Sequence, residues 1–207
     1  MIDRFSKALP ALLAGAFFLA APGALAADGA VVSDQCAACH GRNGVSSEPT
    51  IPTIAGYSEK YISDSLKNFK TKVRTCAQVT IASGPNKGKK SDMCKVTAEL
   101  GDADADAVAK YLASQKFVRA KQPFDGALAA KGNSVYKLRC EKCHENNGSS
   151  PDEDNGILAG QWMPYLKEQI ANFRAGRRPI DEKMKQRLDK VNKDEEEELL
   201  HFFASQQ

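Results

Sequence analysis

Two stretches of this 207-residue chain combine residue types that could do chemistry together, Cys36-Ala37-Ala38-Cys39-His40 and Cys140-Glu141-Lys142-Cys143-His144. Two thiols one helical turn apart can add to the two vinyl groups of a porphyrin, and the adjoining imidazole can then ligate the iron. Cys-x-x-Cys-His is for this reason the attachment signature of a c-type haem. Two copies predict two covalently bound haem c groups. Cys36, Cys39, Cys140 and Cys143 would supply the thioethers, and His40 and His144 one iron ligand each. A zinc module or a thiol oxidoreductase also uses paired Cys-x-x-Cys motifs. The His next to each motif and the methionine register described below favour the porphyrin.

The second iron ligand follows from an internal repeat. A shift of 104 positions places Cys36, Cys39 and His40 on Cys140, Cys143 and His144, and Ile54-Ala55-Gly56 on Leu158-Ala159-Gly160. The same shift carries Tyr61, Ile62, Leu66 and Phe69 onto Tyr165, Leu166, Ile170 and Phe173. Further on, a shift of 91 superposes Met93 on Met184, and Tyr111–Gln115 on Phe202–Gln206. Apart from the initiator the chain has three methionines, and only Met163 lacks a repeat partner. Met93 and Met184 are therefore expected as the sixth ligands, opposite His40 and His144. A thioether there raises the reduction potential and closes the iron to substrates. That counts against a dihaem peroxidase, which needs an open iron. His201, the one His outside the motifs, has Lys110 as its repeat counterpart and reads as an exposed helix residue. Trp162 and Met163 read as packing residues beside the second haem. Pro52 lies where a carbonyl could hold the ring of His40; Gly156 stands at the matching place in the second copy.

Six cysteines less four thioethers leave Cys76 and Cys94, flanking the 13 residues by which the first copy is longer (104 less 91). In an oxidising compartment two such thiols are expected to pair, and on the chain-entropy model the closed loop gives roughly 3 kcal/mol. Two separately buried free thiols are the alternative. A bond would brace the Met93 loop against its insertion. Lys87, Lys89 and Lys90 in the insertion read as a solvated loop or as a docking patch for an acidic partner. Arg177 and Arg178 read either as solvated cations or as partners of haem carboxylates.

The elements that must position these groups read as helices. In each copy a short helix ends in the haem motif, and a polar loop follows, from Gly41 to Pro52 and from Glu145 to Gly156. Next comes a helix with one apolar stripe, Tyr61, Ile62, Leu66 and Phe69 in copy one. The last helix opens with acids, Asp102, Asp104 and Asp106 or Asp194 to Glu198, which suit a helix N-terminus. Its inner face is Val108, Ala109 and Leu112, or Leu199, Leu200 and Phe203. No strand pattern of useful length is present. The predicted class is all-α, one domain duplicated in tandem, with domains at 27–118 and 119–207 and a linker from Phe117 to Phe124. Each copy is too small for a generous apolar core, so a buried haem would complete it.

The N-terminal 26 residues read as a secretory signal peptide. Arg4 and Lys7 precede an apolar run from Ala8 to Ala21, and Ala24-Leu25-Ala26 is a small-residue cleavage site. The run is shorter than the roughly 20 apolar residues of a membrane span, so the mature chain is expected in the periplasm without a span. The net charge of +3 falls to +2 when Asp3, Arg4 and Lys7 leave, which argues against a nucleic-acid partner.

From Lys121-Gln-Pro-Phe-Asp125 through Cys140-Glu-Lys-Cys-His144, Ile157-Leu-Ala-Gly-Gln-Trp162 and Arg177-Arg-Pro179 to Phe203-Ala-Ser-Gln-Gln207, the chain resembles the dihaem cytochrome subunits of flavocytochrome c sulfide dehydrogenases. Over residues 27–120 the likeness rests on the haem motif, Met93 and the final helix, while Cys76, Cys94 and the insertion depart from that pattern. The resemblance implies two class I cytochrome c domains related by a pseudo-twofold axis. It also implies a heterodimer with a separate FAD-containing sulfide dehydrogenase subunit, which would pass electrons through this chain to a soluble acceptor. The chain itself has no flavin-binding Gly-x-Gly-x-x-Gly after a strand, so catalysis would lie on the partner. A free-standing dihaem shuttle of the c-four type, feeding a terminal oxidase, shares the same repeat plan.

Overall fold

A computed structural model describes residues 28–207, so the segment read as a signal peptide lies outside the described residues. Each half begins with a helix whose start is chemically marked. Asp28 caps α1 (Gly29–His40) by accepting from Ala30 N at 2.9 Å, and Asp125 caps α5 (Gly126–Arg139) by accepting from Ala127 N and Leu128 N at 2.7 and 2.9 Å. Such caps satisfy amide groups that have no partner within the helix. Ser58 does the same for α2 (Glu59–Lys70). The first half continues with α3 (Met93–Ala98) and α4 (Asp102–Ser114). In the second half α6 (Glu145–Gly148) is a single turn, followed by α7 (Met163–Arg174), α8 (Glu182–Leu188) and α9 (Lys193–Ser205). Asn192 and Glu195 form a reciprocal capping box at the start of α9.

In each half the first helix crosses the last, α1 on α4 and α5 on α9. Both crossings need a bare backbone. A Cβ on Gly29 would run into the Ala107 carbonyl, and one on Gly132 into that of Glu198. The α5–α9 core gathers Val135, Tyr136, Leu166, Leu199, Leu200, Phe202 and Phe203, all buried. Side chains of this size contribute about 1.5–3 kcal/mol each when fully withdrawn from water. The first core holds Val32, Tyr57, Ile62, Val108 and Leu112, and it also takes in Ile157 from the second half.

The repeat is visible in the hydrogen bonds as well as in the sequence. The Gly44 carbonyl accepts from Ile54 N and Ala55 N, and the Gly148 carbonyl accepts from Leu158 N and Ala159 N. Gly56 N donates to Leu112 O at 2.9 Å, and Gly160 N to Phe203 O at 2.8 Å. The all-α class read from the sequence holds among the described residues.

Two local expectations are corrected, and two details are added. The insertion contains a two-residue antiparallel pair, β1 (Val79–Thr80) and β2 (Lys90–Ser91), too short for an alternation pattern to register. The helix carrying the second motif stops at Arg139, leaving Cys140 to His144 in a turn closed by Cys143 N and His144 N on Cys140 O. His201 is half-buried rather than exposed, and its Nδ1 accepts from Asp125 N at 2.8 Å. The segment between the halves is no slack tether. Phe117 packs edge-on to Tyr57, Ala120 N donates to Gly160 O at 2.7 Å, and Gln122 bonds both Gln161 O and Met163 N. Among the described residues no helix is long and apolar enough to cross a membrane.

Candidate functional site

α1 runs unbroken through the first motif, so Cys36, Cys39 and His40 stand on its last turn. They line a cavity of about 570 Å³ whose walls include Ile51, Pro52, Ile54, Leu66, Phe69 and Leu112. Met93, the first residue of α3, lines the same cavity, positioned by Asp92, which caps that helix through Lys95 N. The volume falls within the ~300–1,000 Å³ typical of cofactor sites. An apolar wall with one imidazole, two thiols and one thioether suits a porphyrin and its iron.

His40 is 8% exposed, and its Nδ1 lies 2.9 Å from the Pro52 carbonyl. A carbonyl can only accept, so Nδ1 carries the proton and Nε2 keeps its lone pair for a metal. Burial lowers the imidazole pKa, partly opposed by the Pro52 bond, and the Arg74 charge lowers it further. The ring is thus held neutral, the state that ligates. Burial pushes the Cys36 and Cys140 thiols up to about 11. Reactive oxidoreductase thiols have depressed values, so these two do not resemble them.

The second motif has a different setting. His144 is 9% exposed and also lowered by burial, but its Nδ1 has no hydrogen-bond partner. The Gly156 backbone is close enough to oppose the shift without reaching bonding geometry. Tyr136 Oη donates to His144 O at 2.6 Å and Asn155 Nδ2 to Cys143 O at 2.7 Å, which holds the turn from both sides. Cys140 packs against the α5–α9 core together with Trp162 and Met163. Met184 is half-buried on α8, where Asp181 accepts from its backbone amide.

The Cys76 and Cys94 sulfurs are bonded, with Cα atoms 5.7 Å apart. Their cluster with Asp92 is therefore not a free set of metal donors. Both flanks of the insertion reach the cavity, through Cys76, Gln78, Val79, Thr80 and Lys90.

Among the side chains that join the two halves, the sequence did not mark Gln161 and Arg74 and read Arg178 as a solvated cation or a partner of haem carboxylates. Gln161 is fully buried. Its Oε1 accepts from Thr53 N at 3.1 Å, and its Nε2 donates to Thr53 O and Tyr57 Oη at 2.9 and 3.0 Å. Trp162 is not only a packing residue, because its Nε1 donates across to Ser46 O at 3.1 Å. Arg74 stacks on Phe69 and donates to Tyr165 Oη and Gln169 Oε1. Arg178 stacks on Phe173 and donates to Tyr61 Oη and Gln169 Oε1. The shift of 104 exchanges Arg74 with Arg178, Phe69 with Phe173 and Tyr61 with Tyr165. Each arginine thus stacks on its own half and reaches the tyrosine of the other, the signature of a twofold relation. That reciprocity was the one available signal for these residues.

The Cytochrome c family model matches residues 26–116. Cytochrome c4 of Stutzerimonas stutzeri is 32% identical over 156 residues, 70% of this chain and 70% of that protein. The thiosulfate dehydrogenase electron acceptor of Thiomonas intermedia is 30% identical over 178 residues, covering 81% and 75%. Among solved structures, reduced cytochrome c4 from Pseudomonas stutzeri superposes with a TM-score of 0.68 at 28% identity, over 85% of this chain and 95% of that one. With two motifs in register and a cavity that fits the group, the chain belongs to the cytochrome c family, as a dihaem cytochrome of the c4-like, class I kind that binds haem c covalently and serves in electron transfer rather than catalysis.

Proposed function

We propose that this protein is an exported electron carrier that accepts electrons one at a time from a sulfur-compound dehydrogenase and passes them to a soluble acceptor. When bound, haem c supplies reversible one-electron chemistry. The chain's own residues do the rest. Cys36 and Cys39, and Cys140 and Cys143, hold the two groups as thioethers. His40 and Met93 would ligate one iron, and His144 and Met184 the other. Pro52 keeps the His40 ring in its ligating tautomer, and the apolar wall keeps water away. The observation that carries this reading is the convergence of Cys36, Cys39, His40 and Met93 on a single cavity. An iron held by both the imidazole and the thioether would keep no open position for a substrate.

Two observations support a sulfur-oxidising donor. Residues 121–207 resemble the cytochrome subunit of flavocytochrome c sulfide dehydrogenases, and a relative at 30% identity is an electron acceptor of thiosulfate dehydrogenase. On this reading the partner is an FAD-containing subunit, the domains divide at 118/119, and the first 26 residues are removed on export to the periplasm. A second reading, a free-standing shuttle to a terminal oxidase, is supported by the likeness to cytochrome c4 at 32% identity.

Purification from the native source decides between them. A bound flavoprotein, with haem reduction on adding sulfide, is expected on the first reading. A lone cytochrome that sulfide and its dehydrogenase do not reduce would overturn it in favour of the shuttle.

A further inference from the structure

The 13-residue insertion has no counterpart in the second half, and its structure is that of a braced finger. Its neck is closed by the Cys76–Cys94 bond, across a sequence separation of 18. Above the neck β1 pairs with β2, and Ile81 N and Gly88 N add bonds to Lys89 O and Ile81 O, both at 2.9 Å. One flank rests on the first haem motif. Ala82 N and Ser83 N both donate at 3.1 Å to the carbonyl of Ala38, the second of the two residues between Cys36 and Cys39. The other end of the strands, Val79, Thr80 and Lys90, lines the cavity.

The charge on this finger is one-sided. Between Cys76 and Asp92 the chain holds three lysines and no acid. Lys87, Lys89 and Lys90 are exposed. Lys89 Nζ donates to Asn86 Oδ1 at 3.0 Å and Lys90 Nζ to Thr80 Oγ1 at 2.7 Å. Those bonds hold two ammonium groups in place without neutralising them. No carboxylate is salt-bridged to any of the three among the described residues.

We propose that the Lys87–Lys90 finger is the docking element through which an acidic redox protein reaches the first haem site and not the second. The proposal rests on the electron-transfer reading above and adds the partner's chemistry and point of entry. A carboxylate-lined partner face complements three ammonium groups, two of them held in place, and preorganisation by the disulfide lowers the entropy lost on docking. The finger's flank touches the thioether turn, so a partner seated on it lies close to one site only. Each encounter transfers one electron. The partner's redox group changes by one oxidation state, the first site changes by one in the opposite sense, and no bond or proton moves. An anionic membrane is the poorer occupant, because Ser83, Gly84, Pro85, Asn86 and Gly88 around the tip offer no large apolar side chain to insert.

The test compares the holoprotein with K87Q/K89Q/K90Q and K87E/K89E/K90E, three surface changes whose haem spectra verify folding. Reduced protein is oxidised by hexacyanoferrate(III), an anionic probe, or by tris(phenanthroline)cobalt(III), a cationic one, in stopped flow. At about 10 mM salt, where screening extends over ~30 Å, charge reversal should slow the anionic probe about tenfold and speed the cationic one. At about 1 M salt the difference should vanish. In the ¹⁵N-labelled reduced holoprotein, a polyglutamate peptide should shift the amides of residues 82–91 first, and the glutamine variant should lose that response. Unchanged rates for both probes, or peptide shifts centred elsewhere, overturn the proposal. So does salt-sensitive binding to phosphatidylglycerol vesicles that the glutamine variant loses, since it assigns the finger to a lipid surface. If neither probe oxidises the wild type, the electron-transfer reading itself falls, a result distinct from an uncharged docking site.

Discussion

Single side chains carry the largest consequences where they are buried and fully bonded. Gln161 spends all of its amide on Thr53, Tyr57 and the Trp162 backbone. Gln161→Leu would leave the Thr53 N–H and carbonyl buried without partners, while the Tyr57 hydroxyl would lose one bond and keep the other, to Ile157 O. Each such group costs about 1–3 kcal/mol, so denaturant unfolding of the holoprotein should show a loss of about 3 kcal/mol. A loss within experimental scatter of zero would mean that water replaces the amide. Met93→Ala and Met184→Ala each address one iron. Each should abolish the near-infrared sulfur-to-iron band of one haem and lower one midpoint potential. If neither spectrum nor potential responds, the ligand assignment is wrong. Replacing Cys76 and Cys94 together by Ser should cost about 3 kcal/mol through the larger entropy of the open loop. It should also weaken the band of the first haem only, because Met93 adjoins the neck of the finger.

At the level of elements, the helix ends explain the acid limb of stability. The Asp125 carboxylate is held below the ordinary value by bonds from Leu128 N and Ala127 N at the start of α5. A depressed folded value stabilises above the unfolded value of ~3.9, and that contribution is lost as pH falls through the lower, folded one. Asp125→Asn keeps the cap but removes the charge. It should unfold more easily than wild type at pH 6 and match it once the pH has fallen below the depressed folded value. A gap that persisted in acid would point to the side-chain shape instead of its charge. The two haem-bearing helices show how closely element type follows sequence. α1 continues through His40 as expected, whereas α5 ends at Arg139 and turns. Both segments are rich in helix formers. What differs is the setting of the turn, which the Tyr136 hydroxyl holds from within α5 and the Asn155 amide from the loop that follows.

Across the whole molecule the two halves are joined by polar side chains inside an apolar frame. The paired arginines reach across to Tyr165 and Tyr61, and both use Gln169 Oε1. Burial would raise the Tyr165 hydroxyl, but the Arg74 and Arg178 charges bring it below the ordinary phenol range. Residues that share a partner are energetically coupled, typically by about 0.5–3 kcal/mol. A cycle of Arg74→Ala, Arg178→Ala and the double variant should show coupling of that size by denaturant unfolding. Additive losses would make the two contacts independent. Lys should not rescue Arg178, since the planar guanidinium both stacks on Phe173 and forks to two acceptors.

The cofactor class, the duplication, the extra residues before Met93 and the two unmatched cysteines were all legible in the chain. Covalent attachment, helix capping and apolar stripes depend on residues a few positions apart, and such spacings survive in one dimension. The contacts between Gln161 and Thr53, between Arg74 and Tyr165 and between His201 and Asp125 were not legible. By type these residues belong on a surface, and each found its partner only when packing brought together segments 76–108 positions apart. Local chemistry thus decided what each half holds. Long-range packing alone decided how the halves face each other, because burial of a polar group is set by the neighbour that satisfies it and not by its own sequence context.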